Sequence, residues 1–443
     1  MKRIRDIIAR NKTPVNVQDD VIYKQVTIRT NYKGVVLRGT KNGSTIGTKN
    51  QFAVSAGQFI LSRIDARNGA FGIIPDELEG AIVTNDFLAF DINEDEVERE
   101  FFNVFLQSPI FLEACIKASR GNTNRKRVDE TFFLNYQVNL PSLAEQHDLI
   151  ERIHQARAHL EIAGDEITHQ QSLLVKLKQA ILQEAIQGKL TEDWRAANPD
   201  TETAGQLLKR IQAEKARLIS KKIIREGKRQ EARNDVRSEL CLPKEWEFPD
   251  LDDITILTTD GTHQTPNYVD NGRIFLSAQN VKPFRFMPEN HKFVSEKAYQ
   301  EYTKGRQAEV GDLLLGRVGA GIGETAVVDQ DIEFAIYVSL GLVKTFPKMN
   351  NPKYLAIVFN SAFGVSYAKG NVSSKGSAGN FNLGRIRSFP IPLPPLAEQA
   401  AIVERVEALM TTCRALEAEI AHARTHAAHL LQAVLKEAFA PNS

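Results

Sequence analysis

Leu-Ala-Glu-Gln occurs at Leu143–Gln146 and again at Leu396–Gln399, each time shortly after proline and at the head of a long helical pattern. The same offset of 253 residues relates Ile150-Glu151-Arg152-Ile153 to Val403-Glu404-Arg405-Val406. Within one residue it also relates Gly57 and Arg63 to Gly311 and Arg317. A repeat of this length restricts the chain to two copies of one unit, a globular domain followed by a long helix, and two similar surfaces in one polypeptide suit a two-part target.

With 443 residues, 42% hydrophobic and 25% charged, the chain can support two or three ordinary cores. Cys115, Cys241 and Cys413 show no CxxC spacing, which argues against a disulfide framework or a cysteine-rich zinc site and fits a reducing cytoplasm. The charged start at Met1-Lys2-Arg3 lacks the apolar run of a signal peptide, and nowhere do about 18 apolar residues follow one another. A soluble cytoplasmic protein without a membrane role is expected. The net charge of +1 hides local stripes: Lys209 to Arg233 carries ten Lys/Arg against three Glu, and Ile116 to Val128 carries five against none. Such stripes either grip phosphate or are solvated faces of helices and loops.

Both helical patterns hold a heptad seam. Ile153, Leu160, Ile167, Leu174 and Ile181 recur every seven residues with Ala156, Ala163, Gln170 and Leu177 three positions on. The second copy has Val406, Cys413, Ile420, Ala427 and Val434 with Leu409, Leu416, Ala423 and Leu430. A two-per-heptad stripe is too narrow for a large core, so each seam should pair with the other in an intramolecular antiparallel coiled coil. A helix from about Ala144 to Gly188 would span roughly 65 to 70 Å, the length of a ruler.

Each globular unit reads as α+β: a strand ending in Arg63 or Arg317, a glycine-bearing loop, a further apolar run (Ala81 to Ile92; Glu333 to Phe346), a helical segment (Val97 to Lys117; Pro352 to Lys369), then a basic loop around Gly121 or Gly376. The expected organisation is two tandem recognition domains, 1–140 and 242–394, long helices at 141–189 and 395–443, and a charged helical connector at 190–241. Gly319 to Gly323 invites a nucleotide-binding reading, but Glu324 to Val328 continues as a strand, so a β-turn is expected instead. There is no P-loop and no Asn/Asp-Pro-Pro-aromatic clamp for base methylation. Pro199-Asp200 with Glu226-Gly227-Lys228 loosely matches a nuclease pattern, yet falls in the charged connector, expected to be helical, where the carboxylates could not meet around a metal. His422, His426 and His429 lie outside the seam and read as exposed helix surface; no metal site is expected.

The loop Asp260-Gly261-Thr262-His263-Gln264-Thr265-Pro266, with Tyr268 and then Gln279-Asn280, offers hydroxyl, imidazole and amide groups suited to base edges. An ordinary turn with threonine capping explains the same residues equally well. The chain nevertheless resembles the specificity subunits of type I restriction-modification systems along nearly its whole length. The residues that carry the resemblance are the two Leu-Ala-Glu-Gln helix starts, Leu190-Thr191 through Trp194-Arg195 and Asn198-Pro199, Leu242-Pro243 with Trp246, the Asp260 to Pro266 loop, Arg317-Val318-Gly319, and Leu61 through Gly72.

The resemblance implies a non-catalytic subunit whose two target-recognition domains each bind half of an asymmetric split site in double-stranded DNA, with the paired helices setting the gap. It also implies two methyltransferase subunits as partners, which bring S-adenosylmethionine, together with restriction-motor subunits; this chain is expected to bind no cofactor itself. Candidate DNA-binding residues are Arg63, Arg67, Arg120, Asn122, Arg125 and Lys126 in the first domain, and Thr262, His263, Thr265, Tyr268, Gln279, Asn280, Arg317 and Lys375 in the second. Thr262, His263, Thr265, Gln279 and Asn280 are expected at or near bases, Arg63 and Arg317 mainly on the DNA backbone. The rival readings are a self-contained DNA methyltransferase or nuclease with fused recognition domains, against which the missing motifs argue, and a coiled-coil adaptor without DNA.

Overall fold

The computed structural model describes residues 1–121, 126–231, 237–373 and 379–438. They form two compact units, one from residues up to Thr168 together with those from Ala421 to Ala438, the other from His169 to Ile420. Among the described residues no helix is long and apolar enough to cross a membrane.

The first unit contains a four-stranded antiparallel sheet in the order Ile8–Asn11, Phe87–Ile92, Phe59–Ser62, Phe71–Ile73. The second repeats that order with Thr255–Asp260, Leu340–Thr345, Leu313–Gly316 and Thr325–Val327. Each unit adds a second sheet of its own, five-stranded in the first and four-stranded in the second, so the repeat lies in the inner sheet and the divergence in the outer one. The apolar run Ala81 to Ile92 divides between the sheets as Ala81–Val83 and Phe87–Ile92.

The helical segment of each unit breaks in two. Ser108 caps Pro109–Ala118 after Arg99–Phe105, accepting from Phe111 N at 3.2 Å; Ser361 caps Ala362–Gly370 after Pro352–Asn360, accepting from Gly364 N at 3.1 Å. Against the first inner sheet packs a phenylalanine cluster, with Phe59, Phe90, Phe101, Phe102, Phe105, Phe111 and Phe133 all fully buried.

The repeated tetrapeptide has a physical explanation. Gln146 and Gln399 are both fully buried at the start of the long helices Leu143–Ile186 and Leu396–Ala438. Gln146 Oε1 accepts from Glu98 N at 2.9 Å and its Nε2 donates to Pro141 O at 3.0 Å. Gln399 makes the equivalent pair with Asn351 N at 2.9 Å and Pro394 O at 3.1 Å. Each glutamine thus ties its long helix both to the residue capping Arg99–Phe105 or Pro352–Asn360 and to the proline exit. Two turns further along each long helix, Glu100 meets His154 at 2.5 Å in the first unit, where the second has Lys353 and Glu407 at 2.7 Å.

The neighbouring glutamate does different work in the two copies. Glu145 is exposed and closes a capping box with Ser142. Glu398 is fully buried and accepts from Thr191 Oγ1 at 2.7 Å, Arg195 Nη1 at 2.5 Å and Trp246 Nε1 at 2.9 Å. Leu190-Thr191 through Arg195, and Trp246, therefore latch the connector and the second domain's entry onto one carboxylate.

Within the second unit the two long helices run antiparallel. Lys178 Nζ meets Glu417 Oε1 at 2.5 Å, and past the end of the first helix Asp193 meets Arg405 and Thr191 meets Glu398, so later residues of the first arm meet earlier residues of the second. The seam differs from the expected one. Leu174, Ile181, Val406 and Cys413 are buried and Leu160, Ile167 and Ile420 half-buried, but Leu177, Leu409, Leu416 and Leu430 are exposed. Ile153 is buried in the first unit, and the side chain of Val434 lies outside the described residues. The second row instead takes the positions one residue beyond the expected ones: Ala185 and Val403 are buried and Met410 half-buried, with Lys178 and Glu417 pairing there. At about 3.6 residues per turn the four-residue step from Leu174 to Lys178 stays as close to the seam as the three-residue step to Leu177, so a straight helix can use either row.

The connector is less helical than expected: Glu192–Ala197 and Ala204–Ser220 are helices, and Gly227-Lys228 lies beyond them. Glu398→Ala should destabilise the second unit by about 3 to 5 kcal/mol in denaturant unfolding, because it leaves the Trp246 indole without an acceptor and Arg195 without its counter-charge, held only by Gly188 O and Thr191. Glu145→Ala should leave the midpoint nearly unchanged.

Candidate nucleic-acid interface

Arg63 and Arg317 end equivalent strands, and their main chains make equivalent bonds. Arg63 N donates to Asp86 O and its carbonyl accepts from Val128 N, both at 2.8 Å; Arg317 N donates to Ser339 O and its carbonyl accepts from Phe381 N, both at 2.9 Å. Each bond pair ties a two-stranded hairpin to the inner sheet: Ser119–Arg120 with Arg127–Val128 in the first unit, Val372–Ser373 with Asn380–Phe381 in the second.

Their side chains face inward, against the expectation of phosphate anchors. The Arg317 side chain is only 4% exposed and ion-pairs with Asp260, while Nε donates to Phe381 O at 3.1 Å and Nη1 to Val338 O at 3.0 Å. Burial pulls its pKa down and Asp260 opposes that shift. Arg63 reaches Glu130 at 3.5 Å, and Arg10 shares that carboxylate at 3.2 Å. Both arginines brace strand ends inside the fold, which leaves neither presenting an open guanidinium fork to DNA.

The Asp260 loop separates into inward and outward residues. Thr262 is buried; its backbone bridges to Ile336 and Val338, and its hydroxyl accepts from Gln264 N at 3.1 Å, the turn-capping role. Asn280 is 1% exposed, accepts from Ser277 N at 2.9 Å and donates to Met287 O at 2.9 Å and Asn290 O at 3.0 Å. With its amide satisfied internally it has no edge left for adenine, so it too is scaffold. His263 keeps 71% of its side chain exposed while bonding Asp260 at 3.0 Å; Thr265 is exposed, Tyr268 is 55% exposed, and Gln279 is exposed with a long 3.4 Å bond to Asn290 O. His263, Thr265, Tyr268 and Gln279 thus remain on the surface of the second unit, and Thr262 and Asn280 do not.

In the first unit Arg120 is 62% exposed, stacks over Phe132 at 4.7 Å and sits 3.7 Å from Asp129. Arg67 is half-buried in the turn Ala66–Asn68, and Lys126 is half-buried beside the hairpin. Asn122, Arg125 and Lys375 lie outside the described residues.

Sequence reasoning missed the braces Arg10, Glu130 and Arg306, the last donating to Asp260 O at 2.9 Å and Gly261 O at 3.2 Å beneath the loop. Nothing local in the sequence marks them. Gly319 to Gly323 forms a turn with positive φ at both ends and leads into strand Thr325–Val327, as expected. Among the described residues no group of side chains could hold a metal ion.

The family model of the type I restriction modification DNA specificity domain matches residues 2–169 and 243–423. The EcoBI specificity subunit of Escherichia coli is 33% identical over 129 residues, covering 28% of this chain and 27% of its own. The EcoEI specificity subunit, also of Escherichia coli, is 22% identical over 392 residues, covering 76% of this chain and 64% of its own. This chain therefore spans less than two thirds of the length of either relative. Its fold is shared with the HsdS subunit from Thermoanaerobacter tengcongensis (TM-score 0.53, 16% identity, 99% and 95% of the two chains covered). It is also shared with a chain from a study of assembly and conformational transition in the type I R-M system (TM-score 0.59, 15% identity, 100% and 97% covered). With two matched segments that take in both inner sheets and both long-helix starts, the chain belongs to the type I restriction modification DNA specificity domain family.

Proposed function

We propose that this chain is the DNA-recognition and assembly subunit of a type I restriction-modification complex and performs no chemistry itself. The observation that carries the reading is the duplicated unit: two domains of one inner topology, each followed by its own long helix, with divergent outer sheets and loops. Identical scaffolds with different loops suit the reading of two different half-sites. Methyltransferase subunits would supply S-adenosylmethionine and the methyl transfer, and motor-nuclease subunits the cleavage.

The exposed apolar residues of the helix pair, Leu173 and Leu177 one turn apart on one helix and Leu409 and Leu416 two turns apart on the other, offer the partner subunits apolar docking surface. Base readout in the second domain falls to His263, Thr265, Tyr268 and Gln279, while Arg317, Thr262 and Asn280 hold the loop that presents them. In the first domain Arg120, Arg67 and Lys126 are the residues in reach of DNA.

Comparing modified bases across the genome of the source organism with and without this chain tests the reading: a split motif should vanish when the chain is removed, and an unchanged pattern would refute it. With that motif known, Gln279→Ala should cost about 1 to 3 kcal/mol at one base position of one half-site only, measured on a panel of single-base variants. Arg317→Ala should instead lower unfolding stability by about 3 to 5 kcal/mol, since buried Asp260 loses its guanidinium and keeps only the exposed His263, with no change in preferred sequence. Inserting one heptad into each long helix beside the Lys178–Glu417 pair should keep both half-sites and alter the unread gap between them in the mapped motif.

A further inference from the structure

The connector ends in a basic strap built onto the second unit. After helix Ala204–Ser220 the chain runs back past the turn Leu251–Ile254, which leads into strand Thr255–Asp260, and past helix Leu383–Arg387. Three aspartates before that strand fasten it: Arg229 reaches Asp253 at 2.5 Å and Asp250 at 3.1 Å, and Lys215, only 11% exposed, reaches Asp252 at 3.2 Å. Gln230 N donates to Gly384 O at 3.2 Å, and Arg387 donates to both Lys228 O at 3.1 Å and Thr258 O at 2.6 Å. The approach is close enough to need glycine on both sides. A Cβ on Gly227 would stand 2.7 Å from Arg387 Nε, and one on Gly384 would stand 2.8 Å from Gln230 Cβ.

These fastenings consume Lys215 and Arg229 and leave Lys221, Lys222, Arg225 and Lys228 exposed, none within ion-pair distance of a carboxylate among the described residues. The elements under the strap are those that carry the recognition loop. Strand Thr255–Asp260 runs directly into His263 and Thr265, and helix Leu383–Arg387 directly follows the hairpin closed by Asn380–Phe381.

Resting on the proposed function, we infer that the strap from Lys221 to Lys228 is a phosphate clamp for the half-site read by the second domain. A run of unpaired lysines without an aromatic is the electrostatic footprint of a nucleic-acid backbone, whereas the cores of protein interfaces are depleted in lysine. Because every fastening belongs to the second unit, the clamp serves that half-site alone, and its contacts carry no base preference.

The test uses the complex of this chain with its methyltransferase partners and a duplex carrying the mapped motif. Replacing Lys221, Lys222 and Lys228 together with Ala should flatten the slope of log K against log salt by about 0.9 for each phosphate left without its lysine. Backbone protection from hydroxyl radicals should disappear beside the second half-site and persist at the first. Arginine at the same three positions should restore both. An unchanged slope, or a disappearance of protection at the first half-site, would overturn the clamp while leaving the recognition role intact. If mass photometry shows the alanine variant failing to assemble while the salt slope of the remaining complex is unchanged, the strap is a protein-docking face and the inference fails. Disappearance of all sequence preference in the unaltered complex would refute the recognition role itself.

Discussion

Everything above the two inner sheets depends on where the long helices begin, and that point is fixed by one buried amide in each unit. A glutamine side chain both donates and accepts, so it can hold a carbonyl behind it and an N–H beside it at once. Gln146 and Gln399 do this with main-chain atoms whose positions follow from the fold and not from any side chain. Glutamate would present no donor to the proline carbonyl and leucine would leave both backbone groups unsatisfied, each a substantial cost in a buried site. The amide is retained in both copies together with the Leu-Ala-Glu before it, although the neighbouring glutamate has taken different work in each.

The repeat was legible in the sequence because it is a matter of spacing, and spacing survives when residues change. The fold class and the two units follow from it, the antiparallel helix pair from the heptads that repeat with it, and the turn at Gly319 to Gly323 from the strand-like residues after it. The seam was legible only in part: heptad counting finds the row that contains Leu174, Ile181, Val406 and Cys413, but the second row depends on how far each helix rotates against its partner. That rotation is set by side chains such as Ala185 and Met410, which carry no heptad signal of their own.

The candidate site was harder to read, for a reason that the Asp260 loop makes plain. Thr262, His263, Thr265 and Asn280 are alike in polarity, and from sequence each is as fit to meet a base as another. What separates them is whether the fold has already used their hydrogen bonds. Asn280 closes the turn before Val281 and Thr262 caps its own loop, so the polar residues nearest the backbone turns are spent on shape, while His263 and Thr265, further out, keep their faces to solvent. Arg317 illustrates the same point with charge: an arginine at a strand end reads as a phosphate ligand until its aspartate is found 57 positions earlier.

A polypeptide that contains one fold twice faces a hazard during folding, because either long helix could seat in either unit. The pairs Glu100 with His154 and Lys353 with Glu407 occupy equivalent places with different charge arrangements. Exchanging the helices would set Glu407 against Glu100, two carboxylates at close range, and would leave Lys353 facing an imidazole in place of its acid. Unequal chemistry at one matched position penalises the exchanged assembly and favours the intended one, so the duplication carries its own proofreading.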